Sequence, residues 1–266
     1  MATSLSSSGN SSSGGRVVLV GAGPGAPDLL TLRAVSALRA ADVVVHDGLI
    51  DDGVFAYVRA AAQRVSVAKK RDRHTMQQED INALLVAFAR AGQMVVRLKG
   101  GDPFIFGRGG EEVEACRAAG VPVEIIPGVS AALGAAAAAQ LPLTHRDYAS
   151  AVSFVAGTCK GLDTQDWSNL AGQDRTLVIY MGVTTAEMIA DKLIAQGVSP
   201  SLPVAVLERG TLPGMRVFRT VLADLGGVVG RENIISPALL VIGEVAALAN
   251  ADNVLNQLAN QAESLA

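Results

Sequence analysis

The sequence is short of cysteine and histidine and contains no long apolar run, and each shortage excludes a class of protein. Its two cysteines, Cys116 and Cys159, lack metal-ligand spacing and a nearby histidine, which favours free thiols in a reducing cytosol. The three histidines, at positions 46, 74 and 145, are too scattered to predict a metal site. No apolar stretch approaches the length that crosses a bilayer. We therefore expect a cytoplasmic protein without a bound metal.

Charge and composition narrow the class further. The formal net charge of -3 and the pI near 5.6 argue against a general binder of nucleic acid or anionic membranes. The 266 residues, 50% of them hydrophobic and 28 of them glycine, are typical of an α/β enzyme with one large or two modest domains. Residues 1–15 are rich in serine and glycine and lack the basic start and apolar centre of a signal sequence, which predicts a disordered leader.

The first half of the chain alternates apolar runs with helical patterns. Asp28 stands where it can cap a helix from Leu29 to Ala40. Such alternation predicts a mostly parallel five-stranded sheet with helices on both faces and with ligands at the carboxyl ends of its strands. The predicted strands begin near Arg16, Asp42, Arg64, Val95 and Gly120.

The second half changes rhythm near residue 149. Short strand-like runs follow one another closely, with one long helical pattern over 186–196. Short connections between strands predict a mixed or antiparallel sheet. The chain is therefore divided into an N-terminal α/β domain over 16–148, a C-terminal α/β domain over 149–250 and a helical tail over 251–266. The predicted strands of the second domain cover 150–156, 176–181, 204–207, 216–220 and 238–242.

One loop carries the most specific chemistry. The stretch VVRLKGGDPFIFGRGGEE runs from Val95 to Glu112. Gly100 and Gly101 allow the backbone to approach a ligand closely, and the proline after Asp102 restricts the loop. Asp102 is suited to accept hydrogen bonds from hydroxyl or ammonium groups, and the fork of Arg108 is suited to a carboxylate or phosphate.

A second glycine-rich loop leaves two interpretations open. Residues 21–26, GAGPGA, match the dinucleotide fingerprint G-x-G-x-x-A. Pro24 weakens the match because it removes a backbone donor where a pyrophosphate needs one. Asp47, at the end of the second strand, fits either a ribose contact or another role. A nicotinamide-dependent oxidoreductase, which would bind NAD(P)H, therefore remains an alternative.

The loop over 95–112 resembles the signature of the uroporphyrinogen-III C-methyltransferases, within the tetrapyrrole (class III) methyltransferase superfamily. The segments GAGPGA, HDGL and PGVSA also resemble family segments and occur in family order between about Val17 and Val245. The resemblance implies two α/β domains with S-adenosyl-L-methionine in the cleft between them, no metal, and a homodimer. It also implies that uroporphyrinogen III is methylated on rings A and B, giving precorrin-2 and two S-adenosyl-L-homocysteines for sirohaem, cobalamin or haem d1.

The same resemblance assigns residue roles. Asp47 or Glu111 corresponds to the base, and Lys69 to a proton donor, although the family has Gly-Lys where this chain has Ala68-Lys69. Arg108, Arg146 and Lys69 correspond to residues that face the tetrapyrrole carboxylates, and Arg108 is counted with the catalytic group. The implied contacts of S-adenosyl-L-methionine are Pro24, Gly100, Gly101, Asp102, Ile105, Ser130, Ala131, Met181 and Gly210.

Two further functions are compatible with the sequence. A non-catalytic dimeric binder of a tetrapyrrole or cofactor predicts binding without turnover and indifference to Asp47→Asn and Glu111→Gln. A different precorrin as the substrate would keep the fold and the methyl donor and change only the macrocycle.

Overall fold

Two five-stranded β-sheets organise the chain. The structure is a computed structural model that describes residues 14–68, 76–158 and 165–251. Lys69, almost all of the predicted leader and all but the first residue of the predicted helical tail lie outside the described residues. No helix among the described residues is long and apolar enough to cross a bilayer.

The first sheet is parallel throughout, as the strand and helix alternation predicted. Its spatial order is β3-β2-β4-β1-β5. The valine-rich strand β1 is buried along its length after Arg16, as expected of a parallel strand covered on both faces. The strands are β1 (Arg16–Gly21), β2 (Val43–His46), β3 (Gln63–Ser66), β4 (Met94–Lys99) and β5 (Val123–Ile126).

Helices cover both faces of this sheet. On one face, Leu38 of the first helix packs in a cluster with Val20. On the other face, Leu85 of the second helix and Val113 of the third pack with Leu19. The apolar side of each helix therefore completes a separate layer of the core. These helices are α1 (Leu32–Ala40), α2 (Gln78–Arg90) and α3 (Gly109–Ala118).

The start of α1 differs from the prediction. A short 3-10 turn occupies Pro27–Leu29, and Leu30 is extended, so that a helix cannot run on from Leu29. The helix begins after Thr31, whose hydroxyl oxygen accepts a hydrogen bond from the Ala34 amide at 3.1 Å. The prediction that Asp28 caps a helix beginning at Leu29 is therefore wrong, because threonine makes the cap three residues later.

The second sheet is mixed, as predicted, with order β6-β7-β10-β8-β9. Only β6 and β7 pair in parallel, and the other neighbours are antiparallel. Two helices, α5 (Ala186–Ala195) and α6 (Leu225–Arg231), pack on one face through residues such as Ile189 and Leu225. The strands are β6 (Ala149–Ala156), β7 (Asp174–Tyr180), β8 (Pro203–Glu208), β9 (Arg216–Val221) and β10 (Ala238–Ile242).

A helix of small residues joins the two sheets. Helix α4 (Ala131–Ala138) follows β5 of the first sheet, but its buried alanines pack with Val178, Leu207 and Leu239 of the second sheet. Small side chains allow close packing of a helix on a sheet. As a result, the carboxyl ends of the first sheet lie beside the second sheet.

Candidate active site

Three loops meet where β1, β4 and β5 end. Gly23 and Gly101 exchange two backbone hydrogen bonds, with N···O distances of 3.2 and 2.7 Å. A Cβ added to Gly128 would lie 2.3 Å from the carbonyl oxygen of Gly101 and 2.8 Å from the backbone of Gly21. Only glycine fits such a close approach of backbone to backbone. The three loops therefore form one continuous surface at the edge of the sheet.

The loop after β4 leaves part of this surface open. A Cβ on Gly100 would meet no atom within 4 Å, and Gly101 has a φ of +66°. The carboxylate of Asp102 fastens the loop, because its two oxygens accept hydrogen bonds from the amides of Phe104 at 2.8 Å and Gly128 at 3.1 Å. Ile105 packs against the second sheet. The side chain of Asp102 thus shapes the cleft by holding two loops together.

The end of β7 provides the neighbouring surface. The Tyr180 hydroxyl lies 2.5 Å from the Ser130 hydroxyl and accepts a hydrogen bond from the Ala132 amide at 3.0 Å. Phe106 approaches the Tyr180 ring with a centroid distance of 4.8 Å. Met181, the next residue, has a φ of +55° and is 48% exposed. Tyr180 therefore ties the first turn of α4 to the second sheet, and Met181 beside it is about half exposed.

The loops after β1 and β8 meet across α4. The Pro24 ring packs on Gly134, and Gly210 packs on Ala135, since a Cβ on either glycine would lie 2.3 Å from the neighbouring side chain. The Thr211 hydroxyl accepts a hydrogen bond from the amide of residue 26 at 3.0 Å. The amides of residues 23 and 26 are thus engaged within the protein, and Pro24 has none. This leaves the GAGPGA loop poorly suited to a pyrophosphate.

A buried network of charges lies beneath the cleft, between β2, β4 and α3. Arg97 donates to Asp47 Oδ1 at 2.5 Å from Nη2 and to Glu112 Oε1 at 2.9 Å from Nε. The same Glu112 oxygen accepts from Lys99 Nζ at 3.0 Å and from Gln78 Nε2 at 3.3 Å. Glu112 Oε2 is buried without a hydrogen-bond partner among the described residues. Of the four charged groups, only Asp47 has an exposed side chain, at 35%.

Burial and charge act in opposite directions on the cations of this network. Burial, together with the charge of Arg97, lowers the pKa of Lys99. Burial also acts to lower the pKa of Arg97, but the carboxylates of Asp47 and Glu112 outweigh it and raise that pKa. The network was not predicted from the sequence. Its signal was Arg97-x-Lys99, two cations on the same face of an otherwise apolar strand.

Arg108 and Glu111 form a second pair at the start of α3. Arg108 has a φ of +57° just before the first helical residue. Its Nε and Nη2 donate to the two carboxylate oxygens of Glu111 at 2.8 and 2.6 Å, and this bonding raises the pKa of Arg108. Both side chains are about half exposed. Arg146 is also exposed, in the segment before β6, whereas the predicted Lys69 lies outside the described residues.

An ion pair with a buried carboxylate fixes the loop that follows β8. The Nε and Nη2 atoms of the partly exposed Arg216 donate to the buried Glu208 carboxylate, which also accepts from the Ile235 amide at 2.8 Å. The hydrogen bonds from Arg216 lower the pKa of Glu208 despite its burial. The chain then turns into Arg209, whose φ is +52°. The position of Gly210 against α4 is therefore set by a rigid strand end.

The predicted site residues that the structure describes, apart from Arg146, fall into two groups. The predicted contacts of the methyl donor surround the first turns of α4 and the ends of β1, β4, β7 and β8. Asp47, Arg108 and Glu111 belong to the two charge pairs on β2, β4 and α3. The arrangement offers open backbone, small side chains and an exposed thioether next to accessible carboxylates and a guanidinium fork. Such a cleft suits a flat, polar ligand beside a polyanionic one.

Curated proteins resemble this chain in sequence over most of its length. The siroheme synthase of Gluconacetobacter diazotrophicus is 52% identical over 234 residues, covering 87% of this chain and 50% of that protein. The siroheme synthase of Tolumonas auensis is 50% identical over 238 residues, covering 89% and 50%. The chain therefore spans about half the length of the curated relatives it matches.

Solved structures agree with the two-domain arrangement. The uroporphyrin-III C-methyl transferase of Thermus thermophilus, complexed with S-adenyl homocysteine, matches with a TM-score of 0.76 and 43% identity, covering 88% of this chain and 100% of that one. The cobalt precorrin-4 methyltransferase CbiF matches with a TM-score of 0.78 and 28% identity, covering 88% and 97%. The family model for tetrapyrrole (corrin/porphyrin) methylases matches residues 16–226. The chain belongs to the tetrapyrrole (corrin/porphyrin) methylases.

Proposed function

We propose that this chain transfers methyl groups from S-adenosyl-L-methionine to carbon atoms of uroporphyrinogen III. The observation that carries the proposal is the convergence of the glycine loops after β1, β4 and β5 on the first turn of α4. Ala131 N lies only 3.5 Å from the position of a Cβ on Gly101. The relatives that match most of this chain support the same activity.

The residues of the cleft fit S-adenosyl-L-methionine. The open side of Gly100 leaves room for a ligand against backbone, and the accessible thioether of Met181 suits an adenine ring. When bound, the cofactor supplies an electrophilic methyl group on a sulfonium. The residues proposed to hold it are Pro24, Gly100, Gly101, Asp102, Ile105, Ser130, Ala131, Met181 and Gly210.

The substrate carboxylates require cations, and we propose Arg108 and Arg146 for this role from their exposure, and Lys69 from the family resemblance. The Arg108–Glu111 pair is half exposed, and exposed pairs contribute little stability. Arg108 can therefore exchange Glu111 for a substrate carboxylate at little cost. A bidentate contact of this kind orients a propionate or acetate group as well as binding it.

Carbon methylation leaves a proton to be removed from the macrocycle, and Asp47 is the base that the geometry favours. Its carboxylate reaches solvent while Arg97 holds one of its oxygens. Glu111 is the other candidate, but both of its oxygens engage Arg108, so Glu111 becomes available only when Arg108 turns to a substrate carboxylate. Lys69 is proposed as a proton donor from the family resemblance. Two such transfers, on rings A and B, would give precorrin-2 and two S-adenosyl-L-homocysteines.

The decisive experiment is an anaerobic incubation of the purified chain with uroporphyrinogen III and methyl-labelled S-adenosyl-L-methionine. We expect two labelled methyl groups per macrocycle, measured by mass and absorption. Cofactor binding without transfer to this macrocycle would move the substrate to another precorrin or leave a non-catalytic binder. Absence of cofactor binding would reject the proposal.

Arg108→Ala is expected to raise KM for uroporphyrinogen III about tenfold, because a charge-assisted bidentate contact is lost. The matched control is Arg231→Ala, since Arg231 is an exposed arginine of α6 that pairs with Asp224, on the face of the second sheet away from α4, and it should leave KM unchanged. Steady-state rates over a range of substrate concentration distinguish the two. An unchanged KM in Arg108→Ala would remove Arg108 from the substrate site.

We also propose that the chain forms a homodimer. An apolar cavity of about 570 Å³, lined on α4 and β6, is bordered by the exposed side chains Leu133 and Phe154. Exposed apolar clusters of this kind commonly mark interfaces. Sedimentation should give twice the mass of one chain, and Leu133→Glu is expected to shift the protein to one chain. A wild-type protein that sediments as one chain at every concentration would contradict this.

A further inference from the structure

We infer that Arg97 and Glu112 are positioning residues that hold the Asp47 carboxylate in place at the cleft. The inference rests on the proposed function, in which Asp47 acts as the base. Arg97 and Glu112 act through Asp47, since both are buried whereas the Asp47 side chain is partly exposed.

Two ion pairs that share Arg97 connect the buried Glu112 to the partly exposed Asp47. Glu112, fully buried on α3, fixes Nε of Arg97, and Nη2 of the same guanidinium fixes Oδ1 of Asp47. A guanidinium is planar and rigid, so its two contacts are held at a defined angle. The orientation of the Asp47 carboxylate is thereby set, through Arg97, by Glu112 on helix α3.

The other contacts of Asp47 involve its backbone, whereas its carboxylate pairs with Arg97. The Asp47 amide donates to the carbonyl of Leu98 at 3.3 Å, and Nδ1 of His46 lies 2.9 Å from the Asp47 carbonyl oxygen. Arg97 makes the one ion pair to Asp47 among the described residues. The orientation of the carboxylate therefore depends on this guanidinium.

Stability alone does not account for the network. Well-packed apolar side chains commonly replace buried charges without loss of stability, and apart from Lys99 the rest of β4 is apolar. Of the four charges, three are buried and the fourth, Asp47, has a partly exposed side chain just after the carboxyl end of β2. A network with one exposed end at the reaction site is what orientation of a functional group requires.

The first test uses stability and does not depend on the reaction. Urea unfolding is measured for Arg97→Gln, Asp47→Asn and the double variant. We expect the sum of the two single-variant shifts to exceed the shift of the double variant, since the contact is lost only once in the double variant. Additive shifts would show that Arg97 and Asp47 do not interact, and the inference would be wrong.

The second test uses the reaction. Arg97→Gln is expected to lower kcat about 10- to 100-fold with KM changed less than about twofold, because a misplaced base slows the chemical step. In an Asp47→Asn background, Arg97→Gln is expected to lower kcat less than about twofold further, because the group it positions is already gone. A purely structural role would lower kcat by the same factor in both backgrounds.

A milder variant keeps the test available if Arg97→Gln does not fold. Arg97→Lys keeps the charge, but one ammonium cannot reproduce the two fixed contacts, so it should also lower kcat. Arg231→Gln, at an exposed arginine of α6 that pairs with Asp224, is the control and should leave kcat unchanged. Active enzyme with full kcat in Arg97→Lys would overturn the positioning role and leave the proposed function standing. Wild-type protein that transfers no methyl group would instead reject the proposed function.

Discussion

Gly128→Ala is expected to lower the free energy of unfolding by about 3 kcal/mol and to abolish binding of S-adenosyl-L-methionine. The added Cβ would lie 2.3 Å from the Gly101 carbonyl oxygen and 2.8 Å from the backbone of Gly21. Both neighbours are backbone atoms, so no side chain can rotate away to relieve the contact. The loops after β1, β4 and β5 would have to separate, and the surface they share would be lost.

The control for this prediction is another glycine to alanine change. A Cβ on Gly230, inside α6, would meet no atom within 4 Å, and alanine in a helix is more stable than glycine by about 0.5 kcal/mol. Urea unfolding and calorimetric titration with S-adenosyl-L-homocysteine compare the two variants. A Gly128→Ala protein as stable as Gly230→Ala would mean that these loops do not approach as closely as described.

The strands were predictable because their signal is local. The run RVVLVG at Arg16 and the run ALLVI at Ala238 are short and mostly apolar, and their length and content of branched side chains favour a buried strand over a helix. The alternation of strands and helices then gave the parallel sheet, and the close spacing after residue 149 gave the mixed one. These features need no knowledge of distant contacts.

The predictions of helices failed where tertiary contacts determine whether a segment is helical. Helix α6, with the sequence LGGVVGR, has three glycines and a weak intrinsic preference for a helix. It forms because Leu225 and Val228 are buried with α5 against the second sheet. The cap at Thr31 was missed for a different reason, since either Asp28 or Thr31 is a competent cap and the 3-10 turn that contains Asp28 cannot be read from the pattern.

The charge network was beyond the sequence for a third reason. Asp47 and Arg97 are 50 positions apart and lie on neighbouring strands, and Glu112 reaches them from a helix. Residue types alone give each of these groups a plausible separate role, as a base, a strand cation or a helix-start acid. Only the register of β2 against β4, which pairs Val45 with Arg97, brings them together.

Glu112→Gln is expected to lower the free energy of unfolding by about 3 to 5 kcal/mol, because it leaves two buried cations with one carboxylate between them. Glu112 Oε1 accepts hydrogen bonds from both Arg97 and Lys99. Among the described residues, Glu112 is the one carboxylate that pairs with Lys99, so its negative charge is not replaced. Adding Lys99→Met should restore much of the loss, since one cation and one carboxylate then remain. Urea unfolding of the single and double variants checks this, and a double variant less stable than Glu112→Gln would contradict it.

The pH dependence of the Glu112→Gln protein gives a second, independent check. Burial and Arg97 lower the pKa of Lys99 below 10.5, and Glu112 opposes them. The unfolded chain therefore binds the Lys99 proton more tightly than the folded chain, so stability rises with pH between the folded pKa and 10.5. Loss of Glu112 removes the charge that raises the pKa of Lys99, so this pKa falls further in the folded protein. The pH range over which stability rises then extends to lower pH. The stability deficit of Glu112→Gln should then be smaller at about pH 9.5 than at about pH 7, whereas a deficit caused by poor packing alone would not change with pH.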